Sequence, residues 1–119
     1  MKRLYPVLFC LALMAATTLV AADAKADMEA LAAADKLFTE QNYREAADAY
    51  DRLTTDTLSP ADWHRSRHRA ITSRLNLKLY QDALADAERY IVQCAGTPFE
   101  ARAERLLGNL YMSLPHYGT

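Results

Sequence analysis

Few residues in this chain could do chemistry. His64 and His68 stand four apart in His64-Arg-Ser-Arg-His68, and on a helix that spacing can bring two imidazoles to one metal ion. Their neighbours are Arg65, Arg67 and Arg69, which repel a metal, and the stretch holds no acid. The pair therefore reads as solvated or groove-facing. No Ser or Cys, His and acid arrangement can be argued from spacing, and His116 falls in a turn beside Pro115. Asp82 and Asp86 are like charges one helical turn apart, which suits a solvated face better than a catalytic dyad. These residues predict a non-enzymatic protein with no metal and no cofactor.

Charge narrows the partners. The N-terminus has a basic start, Lys2-Arg3, then an apolar run from Leu4 to Val20 that leads into small residues. This pattern predicts a signal peptide over residues 1–22, cut after Ala22, with Ala22-Asp23-Ala24 and Ala24-Lys25-Ala26 offering later sites. The competing reading is a membrane anchor, but the run is at the bottom of the spanning range and rich in Ala and Thr. A lipid anchor on Cys10 is disfavoured by the bulky Phe9 before it. The expected mature chain, 23–119, is exported to the periplasm or secreted, with no membrane association after cleavage. Losing Lys2 and Arg3 leaves 12 basic against 15 acidic residues. Such a balance argues against nucleic acid, whose binding relies on clustered cations that release counterions. On a helix Arg65, Arg67, His68 and Arg69 spread around more than half the circumference and make no single stripe. Cys94 is the one cysteine left, so no internal disulfide forms, and it reads as a small buried hydrophobe.

The elements that must position these residues are all helical. Glycine is scarce, β-branched runs are absent, and Ala, Leu, Arg, Asp and Glu dominate. Helices are expected at about 27–40, 43–54, 60–79, 81–95 and 98–114. Ser59-Pro60-Ala61-Asp62 is a start signal, Gly96 a stop, Thr97-Pro98-Phe99-Glu100 a second start and Pro115 a final stop. Tyr43, Tyr80 and Tyr117 are spaced 37 residues apart, and Tyr43-Arg-Glu-Ala46 matches Tyr80-Gln-Asp-Ala83. A fixed period of this size implies helix hairpins that stack on copies of themselves.

With Tyr43, Ala46 and Tyr50 in one copy, Tyr80, Ala83 and Ala87 in the next, and Leu107-Gly108-Asn109-Leu110-Tyr111 before Tyr117 in a third, the chain resembles the tetratricopeptide repeat family. It departs from that pattern at Ala30, Arg67 and Glu104, where a Trp-like residue is usual, and at Ile71 and Arg74. The resemblance implies an all-α fold of antiparallel hairpins stacked as a short solenoid of about two and a half repeats, at about 27–59, 60–96 and 97–119. It also implies a scaffold that binds a peptide or protein segment on its concave side. Carrying the register over places Met28, Leu31, Asp35 and Phe38 on that side in the first copy. Arg65, His68, Thr72, Leu75 and Asn76 follow in the second, and Arg102, Arg105, Asn109 and Met112 in the third.

The candidate partner-binding residues are thus Arg65, His68, Thr72, Asn76, Arg102, Arg105 and Asn109, in a groove apolar at one end and basic at the other. The expected partner is an acidic segment, which arginine can hold bidentately. The chain-terminal Leu106, Leu107, Leu110, Tyr111 and Leu114 suggest a face for a further helix or for self-association. An alternative reading makes the chain the N-terminal piece of a larger exported protein. Glu104 to Tyr111 followed by Pro115-His-Tyr-Gly118 is similar to the helical N-terminal part of bacterial alpha-2-macroglobulin-like proteins. A third is an accessory domain of an enzyme.

Overall fold

The computed structural model describes residues 24–53 and 58–114. The expected signal segment, Pro115, His116 and Tyr117 lie outside the described residues. Five helices and no strand occur among the described residues, so the chain is all-α. They are α1 (24–39), α2 (Tyr43–Asp51), α3 (Pro60–Asn76), α4 (Tyr80–Cys94) and α5 (Glu100–Ser113). Consecutive helices pack α2 on α3, α3 on α4 and α4 on α5.

The 37-residue period recurs as geometry. Helix α1 ends at Gln41 with φ +65°, and α3 ends at Lys78 with φ +62°. In each turn the residue after it donates its amide five residues back, Asn42 to the Leu37 carbonyl and Leu79 to the Arg74 carbonyl, both at 2.9 Å. Gln41 donates to Phe38 and Lys78 to Leu75, both at 3.0 Å. These paired bonds satisfy the last carbonyls of each helix and need a left-handed residue at the pivot. Neither pivot is glycine, so each turn carries the steric cost of a side chain at positive φ. Beyond the turns, Ala46 and Ala83 are both fully buried, and their small side chains let the two helices of each hairpin approach closely.

The start signals fare differently. Ser59 caps α3, its Oγ accepting from the Asp62 amide at 3.2 Å, with Pro60 at the first helical position. Thr97 does not repeat this. Its hydroxyl donates back to the Cys94 carbonyl at 2.6 Å, and α5 begins after Phe99 with no side-chain cap. Gly96 does adopt the left-handed conformation expected of it, at φ +75°.

Two apolar clusters form the core. Leu31, Ala34, Ala46, Tyr50, Leu53, Leu58 and Ala70 make the first. Ile71, Ala83, Ala87, Tyr90, Cys94, Ala103 and Leu110 make the second. Adjacent residues of α3, Ala70 and Ile71, belong to different clusters, and Trp63 packs against both. Helix α3 is therefore the wall the two cores share. Its buried positions include Ser66 and Ser73, whose hydroxyls donate to the Trp63 and Arg69 carbonyls of their own helix at 2.6 and 2.7 Å. Local satisfaction of that kind lets a small polar residue sit in a helix interface without a lost hydrogen bond.

Ion pairs tie the hairpins on the side of α3 that faces α2 and the middle of α4. Arg74 donates to Asp51 of α2 and, at 2.5 Å, to Asp86 of α4. Arg67 donates to Asp51 at 3.2 Å and to the Tyr50 carbonyl, and Arg89 donates to Asp86. Asp86 thus accepts from two arginines, where a solvated face was expected, while Asp82 is exposed.

Candidate functional site

The opposite side of α3 carries a groove of about 400 Å³. Ala61, His64, Arg65, His68 and Arg69 of α3 form one wall, Arg102 of α5 stands on the other, and the buried Tyr90 of α4 lies at the base. Three of the seven expected partner-binding residues meet here: Arg65, His68 and Arg102. Thr72, Asn76, Arg105 and Asn109 do not line it. The Thr72 hydroxyl bonds the His68 carbonyl at 2.9 Å, and Asn76, Arg105 and Asn109 are exposed.

Electrostatics divide the groove. At the α1 end, Asp35 accepts from Arg65 and Arg69, each at 2.9 Å, and from the Tyr50 hydroxyl at 2.6 Å. Arg65 also reaches Asp62 at 3.0 Å, and Arg69 covers the Phe38 ring at 4.9 Å. Burial, then the bond to Asp35, pushes the Tyr50 hydroxyl up to about 12. This overturns the expectation of an apolar end formed by Met28, Leu31, Asp35 and Phe38. Leu31 is buried in the first core, Phe38 is half-buried beneath Arg69, and Asp35 joins Asp62 in pairing with the arginines of α3. At the α5 end, Arg102 makes no hydrogen bond or ion pair with any described residue and is exposed. Its charge, after desolvation, helps hold both His64 and His68 below the ordinary imidazole value.

His64, expected to be solvated or groove-facing, is only 9% exposed. Phe99 stacks on it with ring centres 3.7 Å apart, Trp63 packs edge-on at 4.9 Å, and its Nδ1 lies 2.7 Å from the Tyr90 hydroxyl. Burial, then a hydrogen bond with Cys94, pushes the Tyr90 phenol well up, so it keeps its proton, and its 2.7 Å contact with Nδ1 is a hydrogen bond in either imidazole tautomer. Cys94 Sγ is 3.6 Å from Nδ1 and fully buried, and burial pushes its thiol up as well. A protonated thiol sealed from solvent is a poor nucleophile, so the Cys94 and His64 contact is structural. Sequence spacing could not reveal it, because His64, Tyr90 and Cys94 come together only when α3 packs on α4.

No family model matches the chain, and neither the curated proteins nor the solved structures offer a significant match.

Proposed function

We propose that this chain is a non-enzymatic, exported interaction module of tetratricopeptide-like helix hairpins, and that the groove between α3 and α5 binds an acidic segment of a partner protein. One observation carries this reading. Arg102 faces the groove with no counter-charge among the described residues, opposite His68 and Arg65. A guanidinium in that position can donate to a carboxylate bidentately. The recurrence of the turn geometry at a 37-residue offset supports the repeat reading, and the protonated, sealed thiol supports a binding role over a catalytic one.

Titrating the purified protein with a glutamate-rich peptide tests this directly. Charge reversal, Arg102→Glu, is expected to weaken binding at least tenfold with the fold intact. Unchanged affinity would sink the groove as the binding surface. A second reading, favoured by Met112 at 82% and Tyr111 at 49% exposure on α5, is that this helix docks a further helix, of a longer exported chain or of a second copy. Sedimentation at rising concentration checks the second-copy form.

A further inference from the structure

His64 is a polar side chain nine-tenths buried, and only one of its two ring nitrogens has a partner. Nε2 makes no hydrogen bond with any described residue and is not among the buried side-chain atoms left without one. His64 itself lines the groove. Phe99, Trp63 and Tyr90 fix the ring on a face, an edge and Nδ1 respectively. With Tyr90 donating to Nδ1 the imidazole proton is on Nε2, and the fixed ring sets that donor's orientation before any ligand arrives, which lowers the ordering cost of binding.

The charges around it specify the ligand. Arg65, Arg69 and Arg102 bring three cations, while Asp35 and Asp62 neutralise two through the pairs described above. With both imidazoles neutral, one positive charge is left, and it belongs to Arg102. We infer that the groove is a site for a single carboxylate group, held between the His64 Nε2–H and the Arg102 guanidinium, with His68 at the rim. This rests on the groove reading above and goes further in naming the buried imidazole as the orienting donor and a monoanion as the ligand. The carboxylate can come from an acidic side chain of a partner protein or from a small free acid.

The full chain, titrated separately with an end-blocked hexaglutamate peptide, with glutarate and with inorganic phosphate at neutral pH, separates these sources. The peptide is expected to bind and to shift the His64 Nε2 resonance. His64→Leu and Arg102→Gln are each expected to weaken it about tenfold, the scale of one hydrogen bond to a charged group. His64→Gln, whose carboxamide N–H reaches a similar point, is expected to stay within about threefold by the same reasoning. If His64→Leu fails to fold, His64→Gln, Arg102→Gln and the resonance shift in the unsubstituted protein decide. Peptide binding that ignores both substitutions and leaves the His64 resonance unmoved overturns this site, though an acidic-segment scaffold would survive. Glutarate binding without peptide binding keeps the site and overturns the scaffold reading. Phosphate binding tighter than glutarate overturns the assignment of a carboxylate, and no binding by any probe overturns both.

Discussion

Two tyrosines buried in neighbouring cores solve one problem with opposite chemistry. The Tyr50 hydroxyl donates to Asp35, a carboxylate drawn between Arg65 and Arg69. The Tyr90 hydroxyl bonds Nδ1 of His64, a neutral ring beside an Arg102 that has no partner among the described residues. The first cluster is electrically closed, since its acid holds three donors and its arginines are engaged. The second satisfies its buried atoms with a neutral group and leaves a cation over. The difference marks which end of the groove keeps a cation without a counter-charge among the described residues.

Removing the two hydroxyls breaks the comparison most sharply. Tyr90→Phe leaves a buried imidazole nitrogen without its donor and is expected to cost about 1.5 kcal/mol in urea unfolding, whereas Tyr50→Phe leaves Asp35 with both arginines and is expected to cost about 0.5 kcal/mol. Equal costs would mean that the two clusters do not differ as described. Converting the closed end into an open one comes next. Asp35→Asn keeps an acceptor but frees the charge of Arg65 and Arg69, with an expected loss of about 1 kcal/mol, discounted because these pairs are partly exposed. Tighter binding of the glutamate-rich peptide should accompany that loss. The smallest effect is that of pH. Burial and Arg102 hold the native His64 below its ordinary value of 6.5, so below that pH the unfolded chain takes up the proton first. Stability present at pH 7 is therefore lost as pH falls toward 5, read as a falling thermal midpoint. His64→Gln should reduce that slope to the part His68 contributes, and an unaltered slope would place its origin elsewhere.

Much of the scaffold was legible because it is written locally. The tyrosine period found the turns, Ser59-Pro60 found the start of α3, and the helix limits differ from expectation by a few residues, which is how far helix ends fray. Thr97-Pro98 carries the same kind of signal as Ser59-Pro60, yet its hydroxyl donates backward to Cys94 and accepts only from the Phe99 amide before α5 begins. The burial of α3 on two sides was hidden by serines that satisfy themselves. The site was legible only in part. Arg65, His68 and Arg102 followed from register, but Asp35 meets arginines 30 and 34 residues away and His64 meets a phenol 26 residues away. Pairings of that range depend on how helices pack, which periodicity within one helix does not encode.

The shared position of α3 has a consequence for how the molecule responds to load. A helix whose neighbouring residues Ala70 and Ile71 belong to separate cores cannot be displaced from one without disturbing the other. Trp63 spans the same seam, and the groove wall is cut from that helix. Force that displaces α3 therefore enters both cores together, and the described helices are expected to yield as one cooperative unit instead of unzipping pair by pair.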